Sequence, residues 1–238
     1  MGNPTAALCK ASELKKASGP AGILSELVGG PRSANVSVAC RRIRKAQAAG
    51  EFVAWVATHR DVFFPPDMAA AGIDLAALPV VWTGIAGPTG FPGSAGEPGL
   101  TGTANLGGSS GRASEPRPTG SHGLTTHAGR AVRAAEQLLR SGAFGLIVID
   151  LAKDLTLHSA GQGRLLRLAE RHGAEVLILR RRREDGAYSG SLVAVRSESM
   201  REPVRSGVFR CTITNTKDKR EGPGWTTSEE FCGPPGLY

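Results

Sequence analysis

The sequence predicts an α/β layered domain with a mostly parallel central sheet. Three observations carry this: four short apolar runs, helical patterns between several of them, and a glycine turn that leaves an early strand. The runs are residues 52–56 (FVAWV), 78–82 (LPVVW), 146–149 (LIVI) and 176–179 (VLIL). Nearly continuous, β-branched runs of this length read as strands buried on both faces, the habit of parallel sheets.

The helices come next. Residues 39–49 (ACRRIRKAQAA) run up to Gly50, a helix stop before the first of those strands. Residues 128–140 (AGRAVRAAEQLLR) place Val132, Ala135, Leu138 and Leu139 on one face and end at Ser141-Gly142. Residues 162–171 (QGRLLRLAER) repeat the pattern before Gly173. Strand–helix alternation implies right-handed βαβ units. Ahead of them, residues 23–28 (ILSELV) form a strand candidate that enters Gly29-Gly30-Pro31-Arg32-Ser33. Behind them, 192–196 and 208–214 alternate more polar residues and read as half-exposed strands extending the sheet, with antiparallel pairing open to them.

Composition sets the limits. The 238 residues can bury a real core, but 32 glycines and 15 prolines are unevenly spread, so part of the chain is not core. The glycines at 84, 87, 90, 93, 96, 99 and 102 keep collagen's three-residue period. So short a repeat, containing Phe91 and Leu100, would hardly hold three chains together, and 85–124 is expected to be a disordered Gly/Pro-rich insertion. The expected division is a short segment 1–20, a core of 21–84 and 125–214, that insertion, and a tail 215–238. Cysteines 9, 40, 211 and 232 form no close pair, which indicates neither a zinc site nor a disulfide framework. No signal-peptide region or spanning run stands out, so a cytoplasmic protein without a membrane contact is expected. The net charge of +8 fits a nucleic-acid or acidic protein partner, or an arginine-rich coding bias.

Strand, glycine turn and helix form the context of a phosphate loop, whose G-x-x-x-x-G-K-[ST] pattern needs backbone amides, a lysine and a hydroxyl. From Gly29 the chain reads GGPRSANVS, with Ala34 at the second glycine, Asn35 at the lysine and Val36 at the hydroxyl. Starting at Gly30 restores Ser37 but still loses the lysine. Arg32 is the only cation in the loop, and its planar fork does not mimic a compact ammonium. Further on, 144–150 (FGLIVID) has the Walker-B form, an apolar strand ending in Asp150 where α/β sheets place ligands. Asp150 could equally cap the strand or the next helix.

In order and spacing these segments resemble the RecA family, and more closely the ImuA family of RecA-like accessory proteins in damage-induced mutagenesis cassettes. The resemblance rests on GILSELV at 22–28, AAGID at 70–74 ahead of LAALPVVW, AAEQLLRSGAFGLIVID at 134–150 and VFRCTITNTKDKREGPG at 208–224. It covers roughly residues 20–82 and 125–236. It implies a three-layer RecA-like domain of the phosphate-loop NTPase type. It also implies losses: Arg60 falls at the family's catalytic Glu, and the phosphate-sensing Gln falls within Arg180-Arg181-Arg182-Arg183. Lys217 and Lys219 match a Lys-x-Lys that reaches a neighbouring subunit in RecA filaments, so Lys217, Lys219 and Arg220 are the expected partner interface.

Three basic groups would meet phosphates or acidic protein: Arg41, Arg42, Arg44 and Lys45, then Arg180–Arg183, then Lys217, Lys219 and Arg220. Aromatic residues for base stacking are scarce near them. The resemblance implies a non-catalytic adaptor in translesion synthesis without cofactor. Its partners would be RecA and an ImuB-type Y-family polymerase-like protein, and through that an error-prone DnaE-type polymerase. The alternatives are a divergent RecA-family ATPase that still binds ATP and DNA, and a structural trimer formed through the Gly-x-y run.

Overall fold

The computed structural model describes residues 22–59, 63–84, 127–152, 155–182 and 190–232. In chain order its elements are β1 (Ile23–Gly29), α1 (Asn35–Ala48), β2 (Phe52–Ala57), α2 (Pro65–Ala70), β3 (Val80–Trp82) and α3 (His127–Arg140). Then follow β4 (Phe144–Asp150), α4 (Ser159–His172), β5 (Glu175–Arg181), β6 (Val195–Arg205), β7 (Val208–Asp218) and β8 (Thr226–Cys232). The strands form one eight-stranded sheet in the order β3-β2-β4-β5-β1-β6-β7-β8. Every pairing from β3 to β6 is parallel, and β7 and β8 extend the sheet antiparallel. The expected α/β class and mostly parallel sheet are present, as a mixed sheet.

Strand alternation explains why the central runs are apolar throughout. Leu27, Val53, Trp55, Ala57, Val148 and Leu177 face the layer of α1 and α2. Leu24, Val56, Ile147, Ile149, Val176 and Ile178 face α3 and α4 on the other side. Each fully buried Leu or Ile contributes roughly 1.5–3 kcal/mol, so these two layers dominate the stability. Gly173 closes α4 in the left-handed conformation at φ 64°, the role expected of a glycine after a helix.

Three expectations need correction. Residues 215–232 are not a tail, because β7 runs on to Asp218 and β8 pairs with it from Val208↔Cys232 to Thr214↔Thr226, while 233–238 lie outside the described residues. Polar alternation had hidden β8: its residues are exposed and half-buried in turn, and Phe231 packs against the α1 layer. Next, β6 starts at Val195, later than the 192–196 reading, and pairs parallel with β1 on one side and antiparallel with β7 on the other. Finally, α1 begins at Asn35 rather than 39, since its first turn has no side-chain cap to announce it. Segments 1–20 and 85–124 lie outside the described residues. Among those described, no helix is long and apolar enough to cross a membrane.

Candidate functional site

The C-terminal ends of β1, β4 and β5 open onto a cleft of about 620 Å³, beside the turn from β1 into α1. This is where the connections leave toward opposite faces: β1 feeds α1 on one layer, and β4 feeds α4 on the other. Ligands of open α/β sheets gather at such a crevice. Gly29, Gly30, Ser33, Asn35, His59, Asp150 and Arg180 to Arg182 contribute to its walls.

The turn is closed by its own hydrogen bonds. Gly29 is required by proximity, since a Cβ there would lie 1.9 Å from Ser33 Oγ. Folded over Gly29, that hydroxyl accepts the Asn35 amide at 3.1 Å. The Ala34 amide donates to Ser199 Oγ on β6 at 3.2 Å. Ser199 Oγ in turn donates to Asn35 Oδ1 at 2.6 Å. Asn35 Nδ2 donates to the carbonyls of Leu27 at 3.2 Å and Arg180 at 2.9 Å. Asn35, at the lysine position of the loop reading, is therefore buried and ties β1, β5 and β6 together. Two amides at the helix start, where an anion would bind, already serve hydroxyls of the protein. Ser37 bonds the buried Cys211 thiol, whose pKa burial raises, and so turns toward β7. Arg32 is exposed and lines a second groove with Met200 and Thr212.

Across the cleft, Asp150 is buried at the end of β4. Its backbone oxygen accepts both the amide and the hydroxyl of Thr58 at 3.0 Å, which fixes the strand end. Its Oδ1 lies 3.4 Å from His59 Nε2. Its Oδ2 is buried and has no hydrogen-bond partner among the described residues. A carboxylate oxygen kept from water in this way is costly. Among the described residues no three potential metal ligands cluster.

The arginines that follow β5 do not act alike. Arg180 turns into the protein and meets Glu26 Oε1 at 3.3 Å, while Arg196 Nε holds Glu26 Oε2 at 2.6 Å. Arg182 pairs with Glu198, and Arg181 is exposed. Arg60, Asp61 and Arg183 lie outside the described residues. On α1, Arg41 pairs with Glu229 of β8 and Arg42 with Glu175 of β5, and Arg44 and Lys45 are more exposed.

Lys217 and Lys219 lie at the far end of the sheet. Lys217 stands opposite Arg196 near the start of β6, and its Nζ donates to the Ser191 carbonyl at 3.2 Å. Burial, then Arg196 and Lys219, hold its pKa below the ordinary lysine value. The Asp218 carboxylate accepts the amides of Arg220 and Glu221 and shapes the turn from β7 into β8. The loop and Asp150 thus share one cleft, and the lysine pair belongs to another surface. Sequence reasoning missed Ser199, which is 164 residues from Asn35. It also passed over Glu26, although a carboxylate inside the apolar run ILSELV was a visible signal. No model of a known protein family matches the chain, and no curated protein matches it.

Proposed function

We propose that this protein is a RecA-like, non-catalytic adaptor in damage-induced translesion synthesis, working by contact with RecA and an ImuB-type polymerase-like partner. One observation carries the non-catalytic part. The side chain at the loop's lysine position is an asparagine consumed in holding three strands together, beside amides already bonded to Ser33 and Ser199. Phosphoryl transfer depends on the charges such a loop lacks. The RecA-like part is supported by the order of elements: glycine turn, helix, a Gly72-Ile73-Asp74 turn, the strand ending in Asp150, and late strands reaching Lys217 and Lys219. The partners come from the resemblance alone.

A pull-down with RecA and the polymerase partner, with and without ATP, tests this reading. Capture of both, unchanged by ATP, is expected, and capture of neither would overturn it. The ATPase alternative draws on Asp150, which lies beside His59 and whose buried Oδ2 has no hydrogen-bond partner among the described residues. It would be revived by tight magnesium-dependent ATP binding that Asp150→Ala abolishes.

A further inference from the structure

The helices α3 and α4 lie side by side on one face of the sheet and pack closely. A Cβ on Gly161 would meet Val132 Cγ2 at 3.3 Å, and Arg164 Nε bonds Glu136 Oε1 at 2.6 Å. Their core sides are apolar: Ala128, Ala131, Val132, Ala135 and Leu139 on α3, and Gly161, Leu165 and Ala169 with Gln162 on α4. Their outer sides are not. Arg130, Arg133 and Arg140 recur at helical spacing on the exposed side of α3, and Arg167 and Arg171 on that of α4. With Arg164 between the helices, the face has six arginines against Glu136 and Glu170, the only acidic residues on either helix. Its net charge of +4 is half the formal charge of the chain.

Helix stability does not account for this arrangement. Arg140 and Arg171 stand in last turns, where a cation complements the helix dipole. Arg130 and Arg133 stand in the first half of α3, whose first turn has no acid, so their charge opposes the dipole. Arg130 with Arg133, Arg164 with Arg167 and Arg167 with Arg171 are like-charged neighbours at i,i+3 or i,i+4, a destabilising arrangement. Among the described residues only Arg164 of the six has a carboxylate within ion-pair distance. On α1, by contrast, Arg41 and Arg42 are both paired.

We infer that the α3–α4 face is a docking surface for the phosphate backbone of duplex nucleic acid. Two features favour a phosphate backbone over a protein partner. The cations form extended rows along two adjacent helices with only two acids among them, which suits a linear polyanion. In addition, neither helix exposes a large apolar side chain to serve as the anchor of a protein interface. From Arg130 to Arg140 the stripe runs about 15 Å along the helix, at ~1.5 Å per residue, long enough to follow several phosphates of one strand. Phosphates are alike in every sequence, so binding through them is independent of sequence. The inference rests on this charge geometry and not on the adaptor reading.

The test is fluorescence anisotropy of the full chain with a labelled DNA duplex across a range of NaCl concentrations. Wild type is compared with Arg133→Gln/Arg167→Gln/Arg171→Gln, all exposed positions, and with Arg201→Gln/Arg205→Gln, exposed on β6 away from this face. Circular dichroism checks that each variant is folded. The triple variant is expected to bind more weakly and to lower the slope of log K on log [salt] by about 0.9 for each phosphate it no longer neutralises. The double variant should match wild type. No duplex binding by wild type, including binding to anionic lipid vesicles or an acidic peptide in its place, would overturn the inference. So would a triple variant with unchanged affinity and slope.

Discussion

Asn35 decides the character of the cleft. Its amide serves two carbonyls and its oxygen accepts the Ser199 hydroxyl, so the side chain spends its hydrogen-bonding capacity on the protein. Lysine at this position has no acceptor for Ser199 and would have to leave the sheet to reach the cleft. Asn35→Lys is therefore expected to destabilise the fold by about 1–3 kcal/mol, the cost of stranding buried polar groups. A urea melt compared with wild type measures this, and an unchanged midpoint would refute the structural role. The cysteines give a second prediction at this scale. Burial raises the Cys40 thiol to about 11, and it also raises Cys211, whereas Cys232 is exposed. Thiolate is the reactive form. Of these three, Cys232 alone should be alkylated by iodoacetamide at neutral pH, as read by mass spectrometry of the native protein.

At the scale of elements, the sequence announced most of what it needed to. The runs at 52–56, 146–149 and 176–179 became β2, β4 and β5 with one or two residues added at the ends. Double-sided burial forces a sequence to be apolar throughout, so such strands are hard to miss. β8 escaped because it covers only one side, and α2 because its six residues are too few for a period. The loop's missing lysine was legible, but the reason for its absence was not, since Ser199 and Arg180 approach only when β6 and β5 flank β1. The pairing of β1 with both neighbours also explains Glu26. It lies between Ile178 and Arg196 in register and holds Arg180 and Arg196 in the interior. Glu26→Gln would leave two buried guanidinium groups without their carboxylate and is expected to cost about 3–5 kcal/mol. A thermal melt that shifts by less than a degree would show that these strands do not depend on the cluster.

For the whole molecule, the cleft's shape depends on chain segments that are far apart. The bonds that close the loop join residue 35 to residues 27, 180 and 199, across separations of 8, 145 and 164 positions. Only the first of these is local. Contacts this distant in sequence are costly to close, so the turn after β1 is expected to settle late in folding. The same dependence holds in reverse. Opening the Ala34 amide means parting the turn from β6, so this amide should exchange with solvent deuterium about as slowly as those of the central strands. Ordinary surface turns exchange far faster. Hydrogen-exchange mass spectrometry of the 30–38 region would reveal the difference. Fast exchange there would mean that the turn breathes independently of the sheet. Slow exchange would make this short turn a local reporter of global unfolding.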